Sequence, residues 1–359
     1  TALSGLRNTA VGADAGTAVT GGDDNVLIGY QAGLLLSTGG RNTAIGFQAL
    51  GALLTNFDNT AIGARAGDAI TGAQNTAIGV DALGGSLGTN NSTAVGFNAL
   101  LVSNASGSTA VGSQALDAQT SGAGNTAVGF NALTTISTNG ECTAVGQDAL
   151  NANTAAANTA IGYLALATNT SGVGNTAVGW TALNAILTAN NSTAVGYNAL
   201  ALDTGGSNTA VGSSALDANT TGVRNIAIGL NALGVASTST DNIAIGDNAG
   251  NAITTVGHRN IAIGTDAGGA LTIGTENIFI GYNAGLAPTN NSYNIAIGNY
   301  ALGGATFAAE ATIAIGYQAG DAISTGARNT AVGYQSLSAI VTASDSTAVG
   351  YQALILDTG

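Results

Sequence analysis

The sequence predicts an all-β protein, a parallel β-solenoid (β-roll) of about 21 rungs with 16 to 18 residues per rung. Three observations predict it. One phrase, Asn/Ser-Thr/Ile-Ala-Val/Ile-Gly, recurs twenty-one times at that spacing. Its centre is rich in β-branched residues, as in a strand, and the residues between copies are mainly Ser, Thr, Asn, Gly and Ala, which favour turns. A repeat this short cannot close a core of its own, so each copy must stack on the next.

The first element of each rung is a short strand. The residue before the repeat glycine is Val or Ile in all twenty-one rungs, as in Val95 before Gly96, and the residue before that is Ala in nineteen, as in Ala94. An asparagine such as Asn42 usually begins the phrase. Because side chains alternate along a strand, Thr93 and Val95 face one way and Ala94 faces the other.

The second element follows the glycine. An aromatic residue comes first in eleven rungs, and two positions later Ala recurs in twenty rungs, as in Ala99. The next residue is Leu in fourteen rungs, as in Leu100, and Gly in seven. We predict a second short strand here, after a glycine bend and before a polar return loop. Parallel stacking at about 4.8 Å per rung would place Asn, Ala, Val and Leu in continuous ladders.

The orientation of the strand decides what the surface does. A position that accepts little except Ala indicates close approach of another backbone, which predicts Ala inside and Val or Ile outside. Twenty-one exposed Val or Ile residues would exceed the apolar patch of an ordinary monomer, so this orientation predicts a homo-oligomer of side-by-side chains. The alternative, Val inside and Ala outside, predicts a monomeric solenoid.

The phrase Asn91-Ser92-Thr93-Ala94-Val95-Gly96 resembles the head repeat of trimeric autotransporter adhesins, which has the form N-S-V-A-I-G, and similar repeats of phage tail fibres. The resemblance covers essentially the whole chain. It implies a left-handed parallel β-roll, three chains around a common axis and a role in surface attachment. The stretch Val95–Ala99 also resembles the hexapeptide phrase of left-handed β-helices, whose acyltransferase members use a catalytic histidine.

Composition excludes several function classes. Six Arg and no Lys stand against nineteen acidic residues, and the net charge of −13 argues against nucleic acid and anionic membranes as partners. No apolar run reaches the roughly 18 residues that span a bilayer, so we expect no membrane insertion. Single acids at loop positions, such as Asp117, Asp203 and Asp217, are interpreted as solubilising groups.

Catalysis and metal binding have little support in the sequence. A nucleophilic site would need His258 or Cys142, which lie about seven rungs apart. Acidic residues that follow the repeat glycines have no acidic neighbour on the next rung. We therefore expect a protein that is not an enzyme and has no cofactor or metal.

Two surface ladders have functional alternatives. Thr43, Thr126 and Thr209 belong to a run of eleven Thr residues at strand spacing, which favours an ice-binding protein as a third hypothesis. The aromatic residues after the glycines could stack on the sugar rings of a surface glycan or receptor.

The domain prediction is one elongated solenoid over residues 1–359 without separate caps. The repeats continue to both ends, which leaves open a segment of a longer fibre and a head-to-tail filament. In the filament, Thr1 and Leu3 would contact Leu354 and Leu356.

These observations together predict a non-enzymatic structural fibre or filament subunit, extracellular, on a cell surface or on a virion. Its main partner is itself, as a trimer or a head-to-tail filament. The alternative is an adhesin head or the receptor-binding shaft of a phage tail fibre.

Overall fold

The computed structural model describes residues 5–254, 256–286, 290–304, 310–339 and 341–355, and within these ranges it contains strands and turns but no helix. Each strand is three residues long and ends immediately before a repeat glycine. In chain order the strands are β1 Thr9–Val11, β2 Val26–Ile28, β3 Thr43–Ile45, β4 Thr60–Ile62, β5 Thr76–Ile78, β6 Thr93–Val95, β7 Thr109–Val111, β8 Thr126–Val128, β9 Thr143–Val145, β10 Thr159–Ile161, β11 Thr176–Val178, β12 Thr193–Val195, β13 Thr209–Val211, β14 Ile226–Ile228, β15 Ile243–Ile245, β16 Ile261–Ile263, β17 Ile278–Ile280, β18 Ile295–Ile297, β19 Ile313–Ile315, β20 Thr330–Val332 and β21 Thr347–Val349.

The chain forms two compact units, Thr1–Asn175 with β1–β10 and Thr176–Gly359 with β11–β21. Within each unit, every strand pairs in parallel and in register with the next strand along the chain. Thr43 pairs with Thr60 in the first unit, and Ile243 pairs with Ile261 in the second. The predicted fold class, an all-β parallel β-solenoid with about 17 residues per rung, is confirmed. Its left-handedness remains a prediction.

Small residues fill the interior of each unit. Ala94, Ala99 and Leu100 are completely buried, whereas Val95 is partly exposed. The middle residue of each strand from β2 to β21 is buried in the same way, while its two neighbours are partly or fully exposed. Ala therefore faces inward and Val or Ile faces outward. The alternative orientation, Val inside and Ala outside, is wrong.

The asparagine that begins each phrase forms an internal ladder. Oδ1 of Asn42 accepts hydrogen bonds from the backbone N–H and from Nδ2 of Asn59 on the next rung, at 3.0 and 3.2 Å. Nδ2 of Asn42 donates to Oδ1 of Asn25 at 3.2 Å and to the carbonyl of Asn56 at 2.9 Å. Each amide thus satisfies buried polar groups on both neighbouring rungs.

The second strand predicted after each glycine is wrong. Asn98 and Leu100 have φ of +54° and +50°, which is a left-handed conformation and not an extended one. The segment is a chain of turns whose amides still bond to the neighbouring rungs, since the N–H of Leu100 donates to the carbonyl of Ala115 at 2.9 Å. Each rung therefore has one strand, and the remaining residues stack through turn hydrogen bonds.

Two rungs break the Ala rule, and each compensates within the same rung. Leu27 and Phe279 replace the buried Ala, and the position that is usually Leu is then Gly33 or Gly285. A Cβ atom at Gly33 would lie 2.8 Å from Cδ2 of Leu27, and one at Gly285 would collide with the ring of Phe279. The interior volume of a rung is therefore conserved by exchanging side chains between its two walls.

Candidate functional site

The outward side of the strands is the most regular surface of the protein. We define the strand face as the first and third side chains of each strand. Thr93 and Val95 lie on it in β6 and are both partly exposed. The pattern repeats along β1–β10 and along β11–β21, so each unit carries two parallel rows of outward β-branched side chains. This face has no covering element from its own strands.

The predicted threonine ladder lies on this strand face. Thr43, Thr126 and Thr209 are half-buried and pair in register with Thr60, Thr109 and Thr193. The second row of the face consists of Val and Ile, so hydroxyl groups occupy only one of its two rows. The ice-binding alternative remains a prediction that rests on this single row.

The composition of the strand face changes along the chain. The first strand residue is Thr in β1 and β3–β13 and Val in β2. From β14 to β19 it is Ile, and the third residue is Ile as well. Thr returns in β20 and β21. The face of the first unit is therefore half hydroxylated, whereas the second unit contains six consecutive rungs with only isoleucine.

The aromatic side chains after the repeat glycines form exposed stacks where neighbouring rungs both carry one. The rings of Tyr317 and Tyr334 stack with centroids 5.3 Å apart, and Tyr334 stacks on Tyr351 at the same distance. Tyr30 stacks on Phe47 at 5.7 Å. Because stacked rings cover one another's faces, these rungs offer ring edges to a ligand.

The residue after each aromatic side chain reinforces the stacks. Nε2 of Gln335 donates to Oε1 of Gln318 at 2.8 Å, and Nε2 of Gln352 donates to Oε1 of Gln335 at 2.9 Å. A third bond of this type, 2.9 Å long, joins Gln48 to Gln31 beside the Tyr30 ring. These ladders hold the loops in register, and they explain the residues as packing elements.

Every arginine pairs with a carboxylate on the following rung of its own unit. The N···O distances are 2.5 to 2.7 Å in the pairs Arg7–Asp24, Arg41–Asp58, Arg65–Asp81, Arg224–Asp241, Arg259–Glu276 and Arg328–Asp345. The hydrogen bond from Arg41 lowers the pKa of Asp58, and that from Arg328 lowers the pKa of Asp345. Exposed pairs of this kind stabilise a protein little, but they leave the surface predominantly acidic.

Asp203 is not a solubilising surface group, which corrects the interpretation from the sequence. It is completely buried. Its Oδ1 accepts from Nδ2 of Asn219 at 2.7 Å, from Nδ2 of Asn208 at 3.1 Å and from the N–H of Gly205 at 3.0 Å, and its Oδ2 accepts from Oγ of Ser192 at 3.1 Å. Burial raises the pKa of Asp203 despite these donors.

The sequence contained a signal for this cluster. Residues 142, 153, 158 and 169 of the first unit lie 50 positions before Ser192, Asp203, Asn208 and Asn219. There Asn153 occupies the place of Asp203, and its Oδ1 accepts from Nδ2 of Asn169 at 2.6 Å and from Nδ2 of Asn158 at 3.2 Å. Alignment of the two 50-residue blocks would have predicted a buried polar residue.

The two candidates for nucleophilic chemistry have structural surroundings. Cys142 is buried, and its Sγ lies 3.2 Å from the carbonyl of Ala155, while burial raises the pKa of its thiol. Nδ1 of His258 accepts a hydrogen bond of 2.9 Å from the backbone N–H of Thr240. The described part of the chain contains no cluster of three His, Cys, Asp or Glu residues that could hold a metal ion.

The predicted end contacts are only partly described. Leu354 follows β21 and is exposed, whereas Thr1, Leu3 and Leu356 lie outside the described residues. Among the residues described, no helix is long and apolar enough to cross a bilayer. Comparison with protein-family models and with curated proteins finds no match to this chain.

Proposed function

We propose that the chain is a non-enzymatic structural subunit of an extracellular, cell-surface or virion fibre, and that copies assemble side by side through the strand face. The observation that carries the proposal is the outward row of Val and Ile, which stays partly exposed along both units. Burying a fully exposed side chain of this size contributes about 1.5–3 kcal/mol, so even partial burial along ten rungs adds up to stable association.

The acidic character of the surface supports an apolar contact. Each arginine is already bound to a carboxylate of its own chain, so copies have no free guanidinium with which to attract one another. Like-charged subunits associate only when burial of apolar area outweighs their repulsion. The strand face has no charged side chain in the described strands and is suited to that role.

Sedimentation equilibrium of the purified chain tests the proposal. We expect a mass that is a multiple of the single-chain mass at micromolar concentration. The variant Val95→Thr/Val111→Thr/Val128→Thr changes three outward residues of β6–β8 to a side chain of nearly the same shape, and association should weaken. The matched control Phe97→Thr/Phe130→Thr alters exposed residues of the same region away from the strand face and should leave the association unchanged. A monomeric wild-type chain at all concentrations would refute the proposal.

A second candidate function is an adhesin head or receptor-binding fibre shaft that binds a surface glycan. The exposed rings of Phe97 and Phe130 favour it, because each has a non-aromatic residue at the same position of the next rung. A ring that is not stacked on another can offer its face to a sugar. A glycan array should detect binding by the wild type that the Phe97→Thr/Phe130→Thr variant lacks, and an array without any positive glycan would exclude this function.

A further inference from the structure

Six consecutive rungs of the second unit differ from the rest of the strand face. From β14 to β19 both outward residues of every strand are Ile, and this set is called the isoleucine segment below. On either side of it, Thr209 in β13 and Thr330 in β20 restore a hydroxyl group to the face. At about 4.8 Å per rung the segment is roughly 29 Å long, with two side chains across its width.

The segment is the part of the strand face that gains most from leaving water. Ile226 and Ile228 are 37% and 38% exposed, and no side-chain hydroxyl, amide or charge belongs to the face between β14 and β19. In the threonine-bearing rungs, contact with an apolar partner would remove hydroxyl groups from water, which costs free energy unless each finds a new partner. The isoleucine rungs carry no such cost.

We propose that the isoleucine segment packs against the isoleucine segment of a second copy of the chain and is the contact that holds the assembly together. This inference rests on the proposed self-association. The occupant is a second copy because its segment is apolar over the same length and has side chains at the same rung spacing, so rows of Ile can interdigitate. An acidic partner would meet no free arginine in this unit, since Arg224, Arg259 and Arg328 are bound to carboxylates.

The shared charge of the copies gives the contact a characteristic salt dependence. Each copy has a net charge of −13, so side-by-side copies repel one another. Screening by salt reduces this repulsion and does not weaken an apolar contact. Association through the isoleucine segment should therefore become tighter between 0.05 and 0.5 M NaCl, whereas a contact made of ion pairs between copies would become weaker.

Substitution by the residue that the chain itself uses elsewhere tests the segment. In Ile226→Thr/Ile243→Thr/Ile261→Thr, three first-position residues become Thr, which already pairs in register with Ile between β13 and β14. We expect the dissociation constant from sedimentation equilibrium to rise at least about 100-fold while the circular dichroism spectrum is retained. The reverse variant Thr176→Ile/Thr193→Ile/Thr209→Ile lengthens the segment to nine rungs and should tighten association about 10-fold or more.

The matched control makes the same chemical change on the strand face of the first unit. Ile45→Thr/Ile62→Thr/Ile78→Thr replaces three third-position residues of β3–β5, and we expect less than a 10-fold effect. A loss equal to that of the β14–β16 variant would overturn the inference, as would wild-type affinity of that variant. If the wild type is monomeric, the proposed function fails as well; if it associates but the β14–β16 variant does so equally tightly, only this inference fails.

A photo-crosslink locates the contact directly. Benzoylphenylalanine at position 243, incorporated into one isotopically labelled copy and mixed with unlabelled chain, should attach to residues of β14–β19 of the unlabelled copy. Attachment to the first unit of the unlabelled copy would show that the isoleucine segments do not meet and would overturn the inference.

Discussion

Gly96 lies directly over Gly112 of the next rung, so closely that a Cβ atom on Gly96 would be 2.5 Å from the carbonyl oxygen of Gly112. Gly96 also has φ of +138°, which side chains strongly disfavour. The glycine ladder therefore has both a conformational and a steric requirement. It sets the bend that ends each strand and turns the following residue to the outside.

Gly96→Ala should lower the free energy of unfolding by about 3 kcal/mol or more, because the new methyl group meets strain and a backbone clash together. Thermal unfolding followed by circular dichroism measures the effect. Gly88→Ala is the control: Gly88 also has positive φ, +72°, but open space around its Cβ position, and should lose only about 1–2 kcal/mol. Equal losses for the two variants would contradict the close stacking of the glycine ladder.

The exchange between Phe279 and Gly285 predicts strong coupling in a double-mutant cycle. Phe279→Ala should cost about 3–5 kcal/mol through the cavity it leaves. Gly285→Leu should also destabilise, because its side chain meets the Phe279 ring. The double variant recreates the common Ala and Leu pair of rungs such as Ala94 and Leu100, so it should be more stable than the sum of the two by at least about 2 kcal/mol. Additive losses would show that the two walls do not share volume.

The asparagine ladder predicts a graded loss at position 42. Asn42→Ala removes donors and acceptors to three other residues and leaves buried groups on both neighbouring rungs unsatisfied, so we expect a loss of about 2–4 kcal/mol. Asn42→Ser introduces the residue that occupies the same ladder position at Ser92 and should lose less. Thermal melting of the two variants separates a specific ladder from simple filling of space, for which the order would be reversed or absent.

Asp203→Asn should raise the melting temperature by about 2–5 °C at pH 7, and the gain should shrink as the pH falls toward 3. The raised pKa of Asp203 means that the folded state holds this proton more tightly than the unfolded state. Its contribution to stability is most favourable at low pH and is lost as the pH rises from the ordinary Asp value, about 3.9, through the raised folded value. Asn at this place already works in the first unit, where Nδ2 of Asn153 donates to the carbonyl of Ala155 at 2.7 Å.

Asp247→Asn is the control for that experiment, because Asp247 is exposed in the same unit. It removes a negative charge from the surface without removing one from the interior. A gain of the same size and pH dependence in both variants would mean that reduced net charge, and not relief of a buried carboxylate, causes the effect.

The sequence predicted the strands and their order because strand signals are local. The Thr-Ala-Val phrase has the composition and alternation of a strand, and its spacing left room for one rung only. The second strand was wrong for an equally local reason. Leu100 has no intrinsic preference for positive φ, so only the stacking of neighbouring rungs, which buries its side chain, selects that conformation.

The candidate surface was predicted in outline, since alternation alone places Thr93 and Val95 outward. What the sequence reasoning missed were contacts between rungs. The pairing of Arg7 with Asp24 has a signal in the chain, because every Arg is followed by an acid 16 or 17 residues later. The burial of Asp203 depends on which turn residues point inward, and no single-rung pattern distinguishes it from the exposed Asp24.

Electron cryo-microscopy of the purified protein in solution tests most directly the claim that the strand face is buried between copies. We expect particles with two or more chains side by side, in which the third strand residues, Val95 among them, lie at the shared centre. Separate single chains, or assemblies whose Val and Ile rows face solvent, would contradict the account.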